Sequence, residues 1–273
     1  MKTSVLFCAF VCTMLGLSSC DNDDNYVPED VVVKAFNSKY PEAARIEWET
    51  KAGYKVADFY LGNYDTEAWF DTGGNWIYTE TDIVYNDLPD VVKSSFSASE
   101  YASWRVDDVD KLERPNTETV YVIEVEQGKQ EFDLYYSEDG TLVKVVTDGA
   151  NNAYEPNTVS SILIDKVAQM YPGAKIYDFD REGIYFEIDI LDGKTHKSIV
   201  FDSNNEWVYT EWDIRTSDVP DVVMTALNNS EYKDYRIDDV EVHEKSDGLY
   251  YVFELEPGED FYVTFAADGT LVK

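Results

Sequence analysis

The chain has very little cysteine, histidine or basic charge, and each shortage removes a class of function. Its three cysteines, Cys8, Cys12 and Cys20, all lie near the start, so the rest of the chain has no thiol to form a disulfide, attack a substrate or hold a metal. Stability beyond Cys20 must come from packing. Only two histidines are present, His196 and His243, among charged neighbours (Lys194, Lys197; Glu241, Glu244), and both read as solvent-exposed. No His-x-x-x-His pair, G-x-S-x-G elbow or phosphate-binding loop occurs. Carboxylate pairs abound, but with 55 acidic residues every window supplies one, so they do not single out a glycosidase. The expectation is a non-enzymatic protein without cofactor, catalytic residue or metal site. Lys and Arg together number 22, and the net charge of −33 excludes nucleic acid and anionic lipid surfaces as direct partners.

Long apolar runs are missing too, apart from Val5 to Leu17, which follows Lys2, is too short to span a membrane and ends in small residues. This is the pattern of an export signal over residues 1–19. Its ending, Leu17-Ser18-Ser19-Cys20, resembles the lipobox of bacterial lipoproteins, which implies a lipid on Cys20 as the only membrane attachment. Asp21-Asn22-Asp23-Asp24-Asn25 continues as an acidic tether over residues 20–28, either a solvated spacer or an address tag. The expected location is the outer membrane, on its periplasmic or its cell-surface side.

What the chain does have is apolar and aromatic content, 44% and 15%, enough to offset the ordering entropy that leaves many acidic chains disordered. It is also written twice. Tyr40-Pro41 returns as Tyr171-Pro172, Trp76 as Trp207, Pro89-Asp90 as Pro220-Asp221 and Arg105 as Arg236, each 131 residues on. Near the end the offset shortens to 129, with Asp139-Gly140-Thr141-Leu142 answering Asp268-Gly269-Thr270-Leu271. The expected domains are residues 29–148 and 158–273, with a linker at 149–157. Such doubling is an internal control, because a residue needed for folding should recur in kind.

Each copy is itself two similar units. Val31, Val32, Ala35 and Phe36 match Val91, Val92, Ser95 and Phe96, and Val222, Val223, Ala226 and Leu227, a spacing that predicts one apolar helical stripe. Pro89-Asp90 and Pro220-Asp221 suit helix starts, and Tyr40-Pro41 and Tyr171-Pro172 suit helix ends. Alternating runs follow, Tyr54–Phe59, Tyr121–Glu126, Tyr185–Ile190 and Tyr251–Glu256, as half-buried strands require. Hairpins close each unit at Gly73-Gly74, Asp139-Gly140, Asn204-Asn205 and Asp268-Gly269. The fold class is α+β, in tandem units of one helix packed on about four antiparallel strands.

Leu88-Pro89-Asp90-Val91-Val92, the strand Tyr121-Val122-Ile123-Glu124-Val125 and the hairpin Phe70-Asp71-Thr72-Gly73-Gly74-Asn75-Trp76 followed by Tyr78-Thr79-Glu80 resemble the beta-lactamase-inhibitor-like, PepSY-like proteins, secreted or lipidated bacterial modules. The likeness covers Glu29 to Lys273 as two copies of a two-unit domain. It departs at Asn204-Asn205, which replaces a glycine turn, and around Ser97 to Ser103. The resemblance implies a fold similar to beta-lactamase inhibitory protein, and it carries no established functional residue to this chain.

Aromatic side chains are the candidate binding residues. Trp76 and Trp207 have Leu142 and Leu271 as counterparts in the other units, so their position is an apolar core slot. Tyr78 and Tyr209 have Lys144 and Lys273, which points to an exposed slot, and they alternate with Glu80 and Asp82 and with Glu211 and Asp213. Trp69 and Trp212 occur in one copy only, against Val200 and Thr81. Asp178-Phe179-Asp180-Arg181-Glu182-Gly183 has the spacing of a calcium loop, but it lacks the closing glutamate and reads as a hairpin. The candidates are Trp69, Tyr78, Tyr209 and Trp212, for an envelope protein with a basic surface or, alternatively, for a glycan.

Overall fold

The computed structural model describes residues 26–147, 159–256 and 261–272. The leader, Cys20 and the acidic run after it lie outside the described residues, as does most of the expected linker. The chain divides into two compact units between residues 156 and 157. No described helix is long and apolar enough to cross a membrane.

Four short helices open the four quarters: α1 (Asp30–Lys39), α2 (Asp90–Ala98), α3 (Ser161–Met170) and α4 (Asp221–Asn228). Pro89 and Pro220 stand just before α2 and α4, where a missing N–H costs nothing, and an aspartate in the first turn meets the positive end of the helix dipole. Tyr40 and Tyr171 close α1 and α3. Each helix buries two residues one turn apart: Val32 and Phe36, Val92 and Phe96, Leu163 and Val167, Val223 and Leu227. The stripe is narrower than the sequence predicts, since Val31, Val91 and Val222 stay 44–48% exposed. These valines flank the hairpin turns instead: a Cβ on Gly74 would lie 3.0 Å from the Val31 carbonyl oxygen.

Behind α1 run β1 (Ala44–Lys51), β2 (Tyr54–Leu61), β3 (Tyr64–Phe70) and β4 (Trp76–Asp82); behind α2 run β5 (Arg105–Glu113), β6 (Val120–Gln127), β7 (Gln130–Ser137) and β8 (Leu142–Thr147). The second unit repeats this with β9 (Lys175–Glu182), β10 (Tyr185–Asp192), β11 (Thr195–Phe201) and β12 (Trp207–Asp213) after α3, then β13 (Arg236–Lys245), β14 (Gly248–Glu256), β15 (Tyr262–Ala266) and β16 (Leu271–Val272) after α4. One helix per four strands is therefore observed, but the sheets hold eight strands each in sequence order. Pairing of β4 with β5 and of β12 with β13 fuses two modules and removes the open edge each would otherwise present. The segment with calcium-loop spacing is strand β9 and the hairpin into β10. At the turn before β12, Asn205 takes a φ of 62°, the left-handed conformation that Gly74 supplies in the first copy.

Both cores lie between helices and sheet. In the first quarter, Phe36 of α1 meets Phe59 edge-on at 4.9 Å and Trp48 at 5.1 Å, over Ala57, Ala68 and Phe70. α2 covers Val109, Ile123, Val125, Leu134 and Tyr136 in the same way.

Candidate functional site

Because strand side chains alternate, the residues between these core positions point to the opposite face of each sheet, which carries no helix among the described residues. Register then decides which of them meet. In the first sheet Glu47, Asp58, Glu67 and Glu80 stand directly opposite one another across β1 to β4, and Asp82 opposes Asp110 across β4 and β5. Like charges placed directly opposite destabilise a sheet. Lys51 relieves part of the row, pairing with Glu67 and with the neighbouring Glu49.

The carboxyl groups register this crowding. Burial, reinforced by the charges of Glu80, Asp108, Asp82 and Glu124, pushes Asp110 up to about 8. Burial and then Glu67 raise Glu80; burial and then Asp65 raise Asp58; burial and then Asp108 raise Asp82. Burial and like-charged neighbours together disfavour the ionised form of each of these carboxyls.

In the second sheet the corresponding row is Asp178, Asp189, Ser198 and Glu211. Here one acid is replaced by Ser198, whose hydroxyl donates to Asp189 at 2.7 Å. Further along, His243 opposes Glu211, and its Nε2 lies 3.2 Å from Glu211 and 3.1 Å from Glu241. Burial raises Glu211 to about 7 against the opposing pull of His243, and burial with Asp239 raises Asp213 to about 6. The expectation that His243 is solvent-exposed is corrected: its side chain is 20% exposed, held between two carboxylates and stacked on Tyr209 at 5.5 Å. His196 is also half-buried, its Nδ1 3.5 Å from the Tyr177 hydroxyl.

Three of the four aromatic candidates, Trp69, Tyr78 and Tyr209, sit on the helix-free faces. Tyr78 is only 3% exposed, contrary to the expectation drawn from Lys144. The reason is position in the sheet: β8 is an edge strand, whereas β4 is interior, and Trp69 of β3 stacks on Tyr78 at 5.5 Å. Trp69 is itself buried, donating its indole N–H to Glu67. Tyr209 faces Val200 instead of a tryptophan and stays half-buried beside His243. Trp212 faces the helices, packed against the core that includes Val219, Val223 and Val242, with the Lys197 ammonium 5.0 Å from its ring. Trp76 and Trp207 pack against the α1 and α3 cores, and each donates its indole N–H to a buried threonine, Thr79 or Thr210.

Sequence reasoning did not single out Asp58, Glu67, Asp110 or His243. The signal was parity: each lies an even number of residues from an outward aromatic or acid on its own strand. Pairing register, which no local pattern encodes, was needed to align them.

A family model described as "Putative beta-lactamase-inhibitor-like, PepSY-like" matches residues 52–144 and 185–273. A solved BLIP-like protein from Bacteroides fragilis is similar at 39% identity, over 50% of this chain and 100% of its own, with a TM-score of 0.47. A DUF2874 family protein from Bacteroides ovatus is similar at 31% identity, over 45% of this chain and 89% of its own, with a TM-score of 0.43. Among curated proteins no significant match is found.

Proposed function

Since this chain belongs to the beta-lactamase-inhibitor-like, PepSY-like family, we propose that it is a non-enzymatic binding module of the bacterial cell envelope that uses its helix-free sheet faces to hold a protein partner. The observation that carries this reading is the carboxylate row of the first sheet. Glu47, Asp58, Glu67 and Glu80 stand in one row with Asp82 and Asp110 beside it, and burial together with like-charged neighbours raises the pKa of Asp58, Glu80, Asp82 and Asp110, a cost to folding that a basic partner would repay by neutralising the face. The partner's surface is therefore rich in Lys and Arg, and the complex weakens with salt as charges become screened over about 10 Å at 0.1 M. Export by the leader and a lipid on Cys20 would place the module at the outer membrane, facing the periplasm or the outside.

Carboxyl footprinting tests the location. Carbodiimide labelling of the full chain with and without a protein captured from envelope extract should show protection of the exposed Asp58, Asp65 and Asp82, and none at Asp30 and Asp90 on the helices. Protection confined to the helices, or a saturable glycan in place of a protein, would count against this reading.

A further inference from the structure

The two copies disagree at one position of the helix-free face in a way that changes its chemistry. At the 131-residue offset Glu80 becomes Glu211 and Asp110 becomes Glu241, so both carboxylates are kept, while Leu112 becomes His243. One apolar side chain is thus exchanged for an imidazole between two conserved-in-kind acids.

Register brings the three together without strain. Glu211 on β12 pairs directly with His243 on β13, and Glu241 lies two residues before His243, hence on the same face. Their donor atoms, two carboxylate oxygens and Nε2, lie within 4.8 Å of one another. The two nitrogen-to-oxygen separations, 3.1 and 3.2 Å, are close to the roughly 3.3 Å between ligands that share a tetrahedral ion at about 2.0 Å. Tyr209 lies flat against the imidazole, at an interplanar angle of 6°, and fixes its plane. The side chains are 20–34% exposed, buried enough to shed most water from an ion and open enough to admit one.

A cavity of about 250 Å³ is lined by Tyr185, Glu187, Val200, Val208 and Tyr209. Tyr209 is both a wall of this cavity and the stacking partner of His243, and the Glu187 charge is felt at Glu211.

We propose that Glu211, Glu241 and His243 form a binding site for a divalent transition cation of the zinc class, present in the second unit and not in the first. Two carboxylates neutralise the ion. The imidazole selects against Ca²⁺ and Mg²⁺, which take oxygen donors, and in favour of Zn²⁺ and its neighbours. This site is independent of the protein-binding reading and stands or falls without it.

Zinc chloride added to the full chain tests it, in about 0.15 M NaCl with excess calcium to occupy diffuse acidic sites. Imidazole nitrogen NMR reads the outcome on the wild-type protein, where His196 is the internal control. At one equivalent of zinc the Nε2 signal of His243 should shift and saturate while His196 stays put. Glu241→Gln should weaken binding by about tenfold or more, and His243→Leu, which installs the first copy's residue, should abolish the site with an unchanged circular-dichroism spectrum. Three results overturn the proposal: a His243 signal that moves with pH but not with zinc, which means an ion pair only; both histidines responding alike, which means diffuse association; or zinc bound equally well by the glutamine variant.

Discussion

Asp110 shows at the scale of one residue what the helix-free face costs. Its folded pKa, near 8, lies well above the 3.8 of a free aspartate, so the folded chain holds this proton longer than the unfolded one. The stabilisation from that proton is complete below about pH 4 and is lost as pH rises through about 8. Unfolding of the first unit should therefore become easier from pH 5 to pH 8, and Asp110→Asn should flatten the slope. At pH 8 the variant should gain about 1 kcal/mol or more, some 4 °C in thermal midpoint for a unit of this size. Urea titrations at the two pH values measure this, and an Asp110→Asn chain less stable at pH 8 would refute it. Glycine offers a second comparison. Gly140 and Gly128 both have φ above +70°, but a Cβ on Gly140 would sit 2.9 Å from the Val91 carbonyl oxygen, whereas at Gly128 nothing lies within 4 Å. Alanine at Gly128 should cost about 1 kcal/mol for the backbone alone. Alanine at Gly140 should cost clearly more, read as the difference between the two midpoints in denaturant.

At the scale of elements, the sequence announces its helices and strands and conceals how they join. Proline before α2 and α4, tyrosine-proline after α1 and α3, and alternation in β2, β6, β10 and β14 are local signals, and the structure follows them. Fusion of modules through β4 and β5 is long-range, so eight-stranded sheets were not legible. The same holds for the site. That Glu80 and Asp82 share a face is written in their spacing, but that they face Glu67 and Asp110 depends on pairing. Tyr78 departs from the expectation for a related reason: its counterpart Lys144 lies half-buried beside Tyr135 on an edge strand, whereas Tyr78 lies on an interior strand under Trp69. Helix docking gives the test at this scale. Phe36 is 1% exposed among Tyr40, Trp48, Phe59 and Phe70, and Phe36→Ala should cost about 3–5 kcal/mol. Val31→Ala, on the same helix but 47% exposed, should cost much less in the same denaturant assay.

For the whole molecule, the doubling separates what folding requires from what a surface can spare. Aromatic core slots, hairpin turns and helix pairs recur in all four quarters in kind. The helix-free faces do not: the first sheet has an uninterrupted acid row with Trp69 over Tyr78, and the second has Ser198, Val200 and His243 at the matching places. The partner proposed for the first face is basic, the electrostatic counterpart of a chain with a net charge of −33. The most direct test is capture from envelope extract by the full chain, comparing wild type with Asp58→Lys/Asp82→Lys, both exposed positions of that face. The wild type should retain a saturable protein partner that elutes with salt, and the reversed chain should lose it while Asp30→Lys/Asp90→Lys, on the helices, keeps it. Equal capture by wild type and the face-reversed chain, or no saturable partner for the wild type, would contradict the assignment of the acidic sheet face as a recognition surface.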